Sequence, residues 1–117
     1  MTRTRLRRYL RHGTLPQLAA FEAVARLGSC SRAAEELHLS QPTISVRMAK
    51  LADSVGLPVL VQSGKRVELT PTGRELYAAC QQLFAVFERL ELGLAGRRTA
   101  TADLRLTGGS GAVSTAG

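Results

Sequence analysis

At 117 residues, 44% of them apolar, the chain is long enough for one domain with its own core and too apolar to be disordered by composition. Its formal net charge of +7 suits a polyanionic partner, but the charge is uneven: residues 1–14 carry five arginines and no acid, residues 15–95 balance eight basic against eight acidic side chains, and residues 96–117 add +2. No apolar run approaches the roughly 20 residues of a membrane span. The basic N-terminus lacks the apolar segment of a secretory signal, so cytoplasmic residence is expected. Cys30 and Cys80 are too few and too far apart for a disulfide framework or a metal site, and read as reduced core or interface residues.

Residues 1–13 form an arginine-rich arm, either a segment that reaches nucleic-acid phosphates or a solvated extension. A helix is expected from Thr14, with Thr14 and Gln17 in a capping-box pattern and Pro16 in the first turn. Leu18, Phe21, Val24 and Leu27 then line one face, and Gly28 stops the helix.

Residues 31–51 read as two short helices and a tight turn. Ser31 is the expected cap of the first, over residues 32–37. Leu37, His38 and Leu39 make the corner. Ser40 caps the second helix, and Pro42 sits in its first turn, where a missing N–H costs nothing. Ile44, Met48, Leu51 and Val55 recur at i, i+4, i+7 and i+11, so one face is apolar. The other carries Gln41, Thr43, Ser45, Arg47 and Lys50, side chains of a length to read base edges, with cations for phosphates alongside. This is the layout of a helix-turn-helix whose second helix is the recognition helix. Two capped amphipathic helices with a merely solvated polar face would read the same way.

Gly56 is the expected C′ residue of that helix, and Pro58 prevents its continuation. Residues 59–62 and 66–69 are β-rich runs around a short turn at residues 63–65, a hairpin signal. A hairpin after a helix-turn-helix is a wing, with Lys65 and Arg66 at its tip, placed for phosphate or the minor groove or else simply solvated. Within residues 40–66, Arg47, Lys50, Lys65 and Arg66 face only Asp53, a local basic patch.

Thr70 and Pro71 open a further helix expected to run to about residue 95, near 37 Å at about 1.5 Å per residue. Leu76, Cys80, Leu83, Phe87, Leu90 and Leu94 form a heptad seam along it. A helix this long needs a partner for its far half, either the same helix of a second copy or another part of the same chain. Residues 95–99 look like a hinge. Leu104 to Leu106 alternates like the start of a strand, and a Gly/Ser/Thr/Ala run ends the chain.

These residues and motifs resemble the N-terminal part of LysR-type transcriptional regulators over residues 15–106. The resemblance rests on L-P-Q-L-A-A-F-E-A-V-A-R-L-G-S at residues 15–29, S-R-A-A-E-E-L-H-L-S-Q-P-T-I-S at 31–45, K-L-A-D-S-V-G-L-P-V-L at 50–60 and G-K-R-V-E-L-T-P-T-G at 64–73. Within that family the chain is most similar to regulators of carbon-fixation carboxylase operons. The resemblance implies a mainly α fold: an arm at residues 1–13, a winged helix-turn-helix at 14–70, a linker helix pairing antiparallel in a dimer at 71–95, and a hinge with the first strand of a truncated effector domain at 96–117. It implies double-stranded DNA as partner, through an imperfect dyad operator. Gln41, Pro42, Thr43 and Ser45 would approach bases and phosphates in the major groove; Ser31 and Arg32 would touch the backbone; Lys65 and Arg66 would serve the wing. Ser40, Val46, Arg47 and Lys50 complete the expected DNA-binding set. Two departures stand out. Val46 occupies a position often basic in the family, with Arg47 next, and Val61 stands where an aromatic before the wing is common.

An effector domain beyond its first strand is absent from these residues, so no small-molecule effector is expected to bind this stretch. A truncated dimerisation module that captures full-length regulators in inactive mixed dimers is the alternative. No cofactor or metal is expected. No paired carboxylates, Cys–His pair or Ser–His–Asp set suggests an enzyme; His12 lies in the arm and His38 at a helix corner.

Overall fold

The structure is a computed structural model and describes residues 6–10 and 13–106. In chain order it holds a 3-10 turn (Arg7–Tyr9), α1 (Thr14–Leu27), α2 (Cys30–Leu37), α3 (Gln41–Val55), β1 (Leu60–Ser63), β2 (Arg66–Leu69) and α4 (Pro71–Leu106). This is the mainly helical, winged architecture that the sequence pattern predicts. The chain falls into two units, residues 1–81 and residues 82–117.

In the first unit α1, α2 and α3 enclose one core. Ala20, Ala23 and Val24 of α1 meet Ala33 and Ala34 of α2 and Ile44 of α3, with Leu27, Leu37, Leu39, Met48, Leu60 and Val67 packed around them. Alanines at the contacts let the backbones approach closely; Phe21 and Leu51 are also fully buried. Burial of a side chain such as Phe21 or Ile44 contributes about 1.5–3 kcal/mol. The Phe21 ring also meets Tyr77 edge-on, centroids 6.4 Å apart. A charged link ties α1 to α2 outside this core: Arg26 bonds Glu22 at 2.8 Å and pairs with Glu36. The hydrogen bonds of Arg26 hold the Glu36 carboxyl below its usual range and raise the guanidinium in turn.

The helix ends match the predicted chemistry with two shifts. At α1 the N-cap is Gly13, in the left-handed region at φ +67°, and Thr14 is already helical. Glycine takes that conformation without strain, and its carbonyl accepts the Gln17 N–H at 3.3 Å, so the helix starts a residue earlier than a Thr14 cap requires. At α2 the cap is Ser29 rather than Ser31; its Oγ accepts the Arg32 N–H at 3.1 Å. Gly28 ends α1 at φ +70°, which leaves the next residue extended and first in line to cap. Ser40 caps α3 as expected, its Oγ accepting the Thr43 N–H at 3.2 Å, and Gly56 ends it at φ +86°.

The wing is a two-stranded antiparallel sheet with Leu60 opposite Leu69 and Ser63 opposite Arg66. Thr70 seats it on α4. Its Oγ1 accepts the Gly73 N–H at 2.9 Å and donates to the Pro58 carbonyl at 2.7 Å, while its own N–H reaches the Val59 carbonyl at 3.1 Å. Val61 is 49% exposed, so the absence of an aromatic there takes little from the wing's packing.

Two expectations for the C-terminal part are corrected. Residues 96–106 are helical, not a hinge followed by a strand, because α4 continues to Leu106. The stretch is rich in Ala, Arg and Leu and holds no proline, so intrinsic preference outweighs Gly96. The Thr99 hydroxyl bonds the Ala95 carbonyl at 3.0 Å, and Arg98 bonds Glu91 at 3.0 Å. Cys80, placed in the heptad seam by spacing, is a core residue of the first unit with 1% exposure. Burial, with Glu22 adding to it, pushes its thiol up to about 11. In the second unit Phe87 and Leu90 are exposed at 42% and 48%, and Leu83 and Leu94 are half-buried. Expectations for residues 1–5, for Arg11 and His12, and for residues 107–117 lie outside the described residues.

Candidate nucleic-acid interface

Helix α3 positions most of the predicted contacts. Its core side is pinned by Ile44 and Leu51, both fully buried, and by half-buried Met48 and Val55. At about 100° per residue this turns Gln41, Pro42, Ser45, Val46 and Lys50 outward, and all five are exposed. The Ser40 cap fixes the first turn, so Gln41 stands on a helix end that is already satisfied. Thr43 is half-buried, and its hydroxyl pairs with that of Ser40 at 2.8 Å, so it orients the turn as well as facing out. Arg47 is half-buried and lies with Pro42, Thr43, Val46 and Lys50 along an open groove of about 450 Å³ whose other wall is the start of α1, at Gly13, Pro16 and Gln17.

A second group gathers where α1 ends and α2 begins. Ser31 and Arg32 are exposed there, and the Ser31 hydroxyl pairs with the Ser29 cap at 3.1 Å. The wing reaches the same corner: the Val67 N–H donates to the Gly28 carbonyl at 3.0 Å. Arg66 lies against Gly28 so closely that a Cβ there would sit 2.7 Å from its guanidinium nitrogen. Only Lys65 shares the hairpin turn with Gly64; Arg66 is the first residue of β2 and brings its charge beside the N-terminus of α2. Sequence spacing could not foresee this, because it depends on how the hairpin docks on the turn after α1.

Sequence reasoning also left Arg8 without a partner. Its guanidinium donates to the Ser54 and Val55 carbonyls, both at 3.1 Å, in the last turn of α3. A cation at a helix C-terminus meets the negative end of the helix dipole. This arginine of the arm is therefore used inside the fold. Among the described residues no group of three His, Cys, Asp or Glu side chains could hold a metal ion, and no helix is long and apolar enough to cross a membrane.

Three helices, a capped outward-facing second helix of the motif and a docked β-hairpin define a winged helix-turn-helix. Residues 15–74 match the model of the bacterial regulatory helix-turn-helix proteins of the lysR family. The chain belongs to the LysR family. It is 48% identical over 82 residues to a RuBisCO operon transcriptional regulator of Acidithiobacillus ferrooxidans, covering 70% of this chain and 26% of that protein. A RuBisCO operon transcriptional regulator of Allochromatium vinosum is 53% identical over 66 residues, covering 56% and 22%. The chain thus spans about a quarter of the length of these curated relatives. Among solved structures, the CbnR DBD in its DNA complex matches with a TM-score of 0.59 and 32% identity, covering 75% of this chain and 95% of that one.

Proposed function

We infer that the chain binds double-stranded DNA in a sequence-specific manner, as a dimer, in the service of transcription regulation. The observation that carries this reading is the outward face of α3, where Gln41, Ser45 and Lys50 are exposed on a helix held rigidly by its core side and its cap. An exposed amide and hydroxyl can reach base edges in the major groove, which admits one helix. Lys50, Lys65, Arg32 and Arg66 are exposed cations that suit the phosphate backbone. The likeness to two RuBisCO operon regulators favours an operon of that kind as target. Dimerisation is supported by the seam: Phe87 and Leu90 are large apolar residues that the second unit leaves exposed, on the same heptad line as Leu83 and Leu94. A two-fold dimer would meet an operator with dyad symmetry.

The test is sedimentation of the chain with and without a duplex enriched from a random-sequence library. Two chains per duplex are expected, and Leu83→Lys with Leu90→Lys is expected to yield monomers that bind the duplex far more weakly. A double variant that stays dimeric would remove the seam from the interface.

A further inference from the structure

The outward face of α3 is not uniformly polar. Pro42, Val46 and Ala49 recur at i, i+4 and i+7, which stacks them along one flank of the helix, and all three are exposed. Val46 keeps 52% of its surface open. Isolated exposed apolar residues are ordinary. This one is flanked by the exposed hydroxyl of Ser45 on one side and by Arg47 and Lys50 on the other, and shares a groove with the two cations. A β-branched residue is also a poor helix former at an exposed mid-helix position, so α3 does not need valine for its own stability.

The base edges of the major groove offer donors and acceptors, and one apolar group, the C5-methyl of thymine. We propose that Val46 is a specificity-determining contact for the C5-methyl group of one thymine in each half-site. The cations beside it suit the phosphates on either side of such a base, and Gln41 and Ser45 face neighbouring base edges. This rests on the DNA-binding reading above. It implies that part of the site is read by burial of methyl groups where hydrogen bonding would otherwise do the work.

The experiment uses the full chain and the duplex enriched from a random-sequence library. Each thymine of that duplex is replaced in turn by deoxyuridine, which removes only the methyl, and affinity is read by fluorescence anisotropy for the wild type and for Val46→Ala. At one thymine per half-site the wild type is expected to lose roughly fourfold in affinity, the worth of one buried methyl. Val46→Ala removes the contact from both half-sites, so it is expected to bind the thymine duplex weaker by roughly the square of that factor and to bind thymine and deoxyuridine duplexes alike, with an unchanged salt slope. A duplex that is bound tightly while every deoxyuridine substitution is silent overturns the methyl contact alone. So does a Val46→Ala variant with undiminished methyl sensitivity. If the library enriches no duplex, the DNA-binding reading falls, and the methyl contact with it.

Discussion

Gly73→Ala should destabilise the first unit, although alanine is the better helix former. Gly73 is buried in the first turn of α4, and a Cβ there would lie 2.0 Å from the Val59 carbonyl oxygen, about 1 Å inside the 3.0 Å limit that real Cβ atoms respect. The obstacle is backbone, so the segment at Pro58 and Val59 has to move away from α4. That movement breaks the Thr70 N–H bond to Val59 at 3.1 Å and the Thr70 hydroxyl bond to Pro58 at 2.7 Å. Each bond is worth about 1 kcal/mol net, and loosening of Val59, 2% exposed, adds a share of its burial. Alanine returns about 1 kcal/mol of helix propensity. The balance is a loss of roughly 2–3 kcal/mol, or about 10–20 °C in Tm for a domain of this size. Urea denaturation followed by far-UV circular dichroism measures it. Gly93→Ala and Gly96→Ala are the controls in the same helix, since neither Cβ meets an atom within 4 Å, and both should stabilise helix by up to about 1 kcal/mol. A Gly73→Ala variant as stable as the wild type would refute the contact between α4 and Val59.

Arg8→Gln should lower stability by about 1 kcal/mol, through loss of the cation on the last carbonyls of α3, and leave the salt dependence of DNA binding unchanged. A salt slope reduced by about one unit would instead place Arg8 on a phosphate. The Glu36 carboxyl is held low in the fold by Arg26, so its stabilisation is present above the ordinary glutamate pKa of about 4.3 and is lost as pH falls through the lower folded value. Thermal melts across that acid range should therefore show a shallower loss for Glu36→Gln than for the wild type. Both partners are about two-fifths exposed, so the difference is small, and an identical acid limb would remove the link between α1 and α2.

Most of the fold was legible because its punctuation is local. Ser40, Thr70 with Pro71, Gly28 and Gly56 each act through a cap or a left-handed residue within a few positions, and all four work in the structure as the sequence suggests. Ser29 and Ser31 are equally able caps, and only the place where Gly28 releases the chain decides between them. The heptad spacing that marks Leu83, Phe87 and Leu90 also marks Cys80, but spacing cannot tell a side chain covered within its own unit from one left exposed. Residues 96–106 misled because Gly and Thr lowered the helical signal while Ala and Arg carried it. The outward residues of α3 were legible from helical period alone. The neighbours of Arg66 and Arg8 were not, since both contacts join segments far apart in sequence.

The measurement that bears most directly on the DNA-binding reading is the affinity of Gln41→Ala for the enriched duplex and for a random duplex, side by side. Gln41 is exposed in the first turn of α3 and needed by no contact in the core. A loss of about 1–3 kcal/mol on the enriched duplex with little change on the random one is expected if its amide reads a base. Equal losses on both duplexes, or none on either, would contradict it.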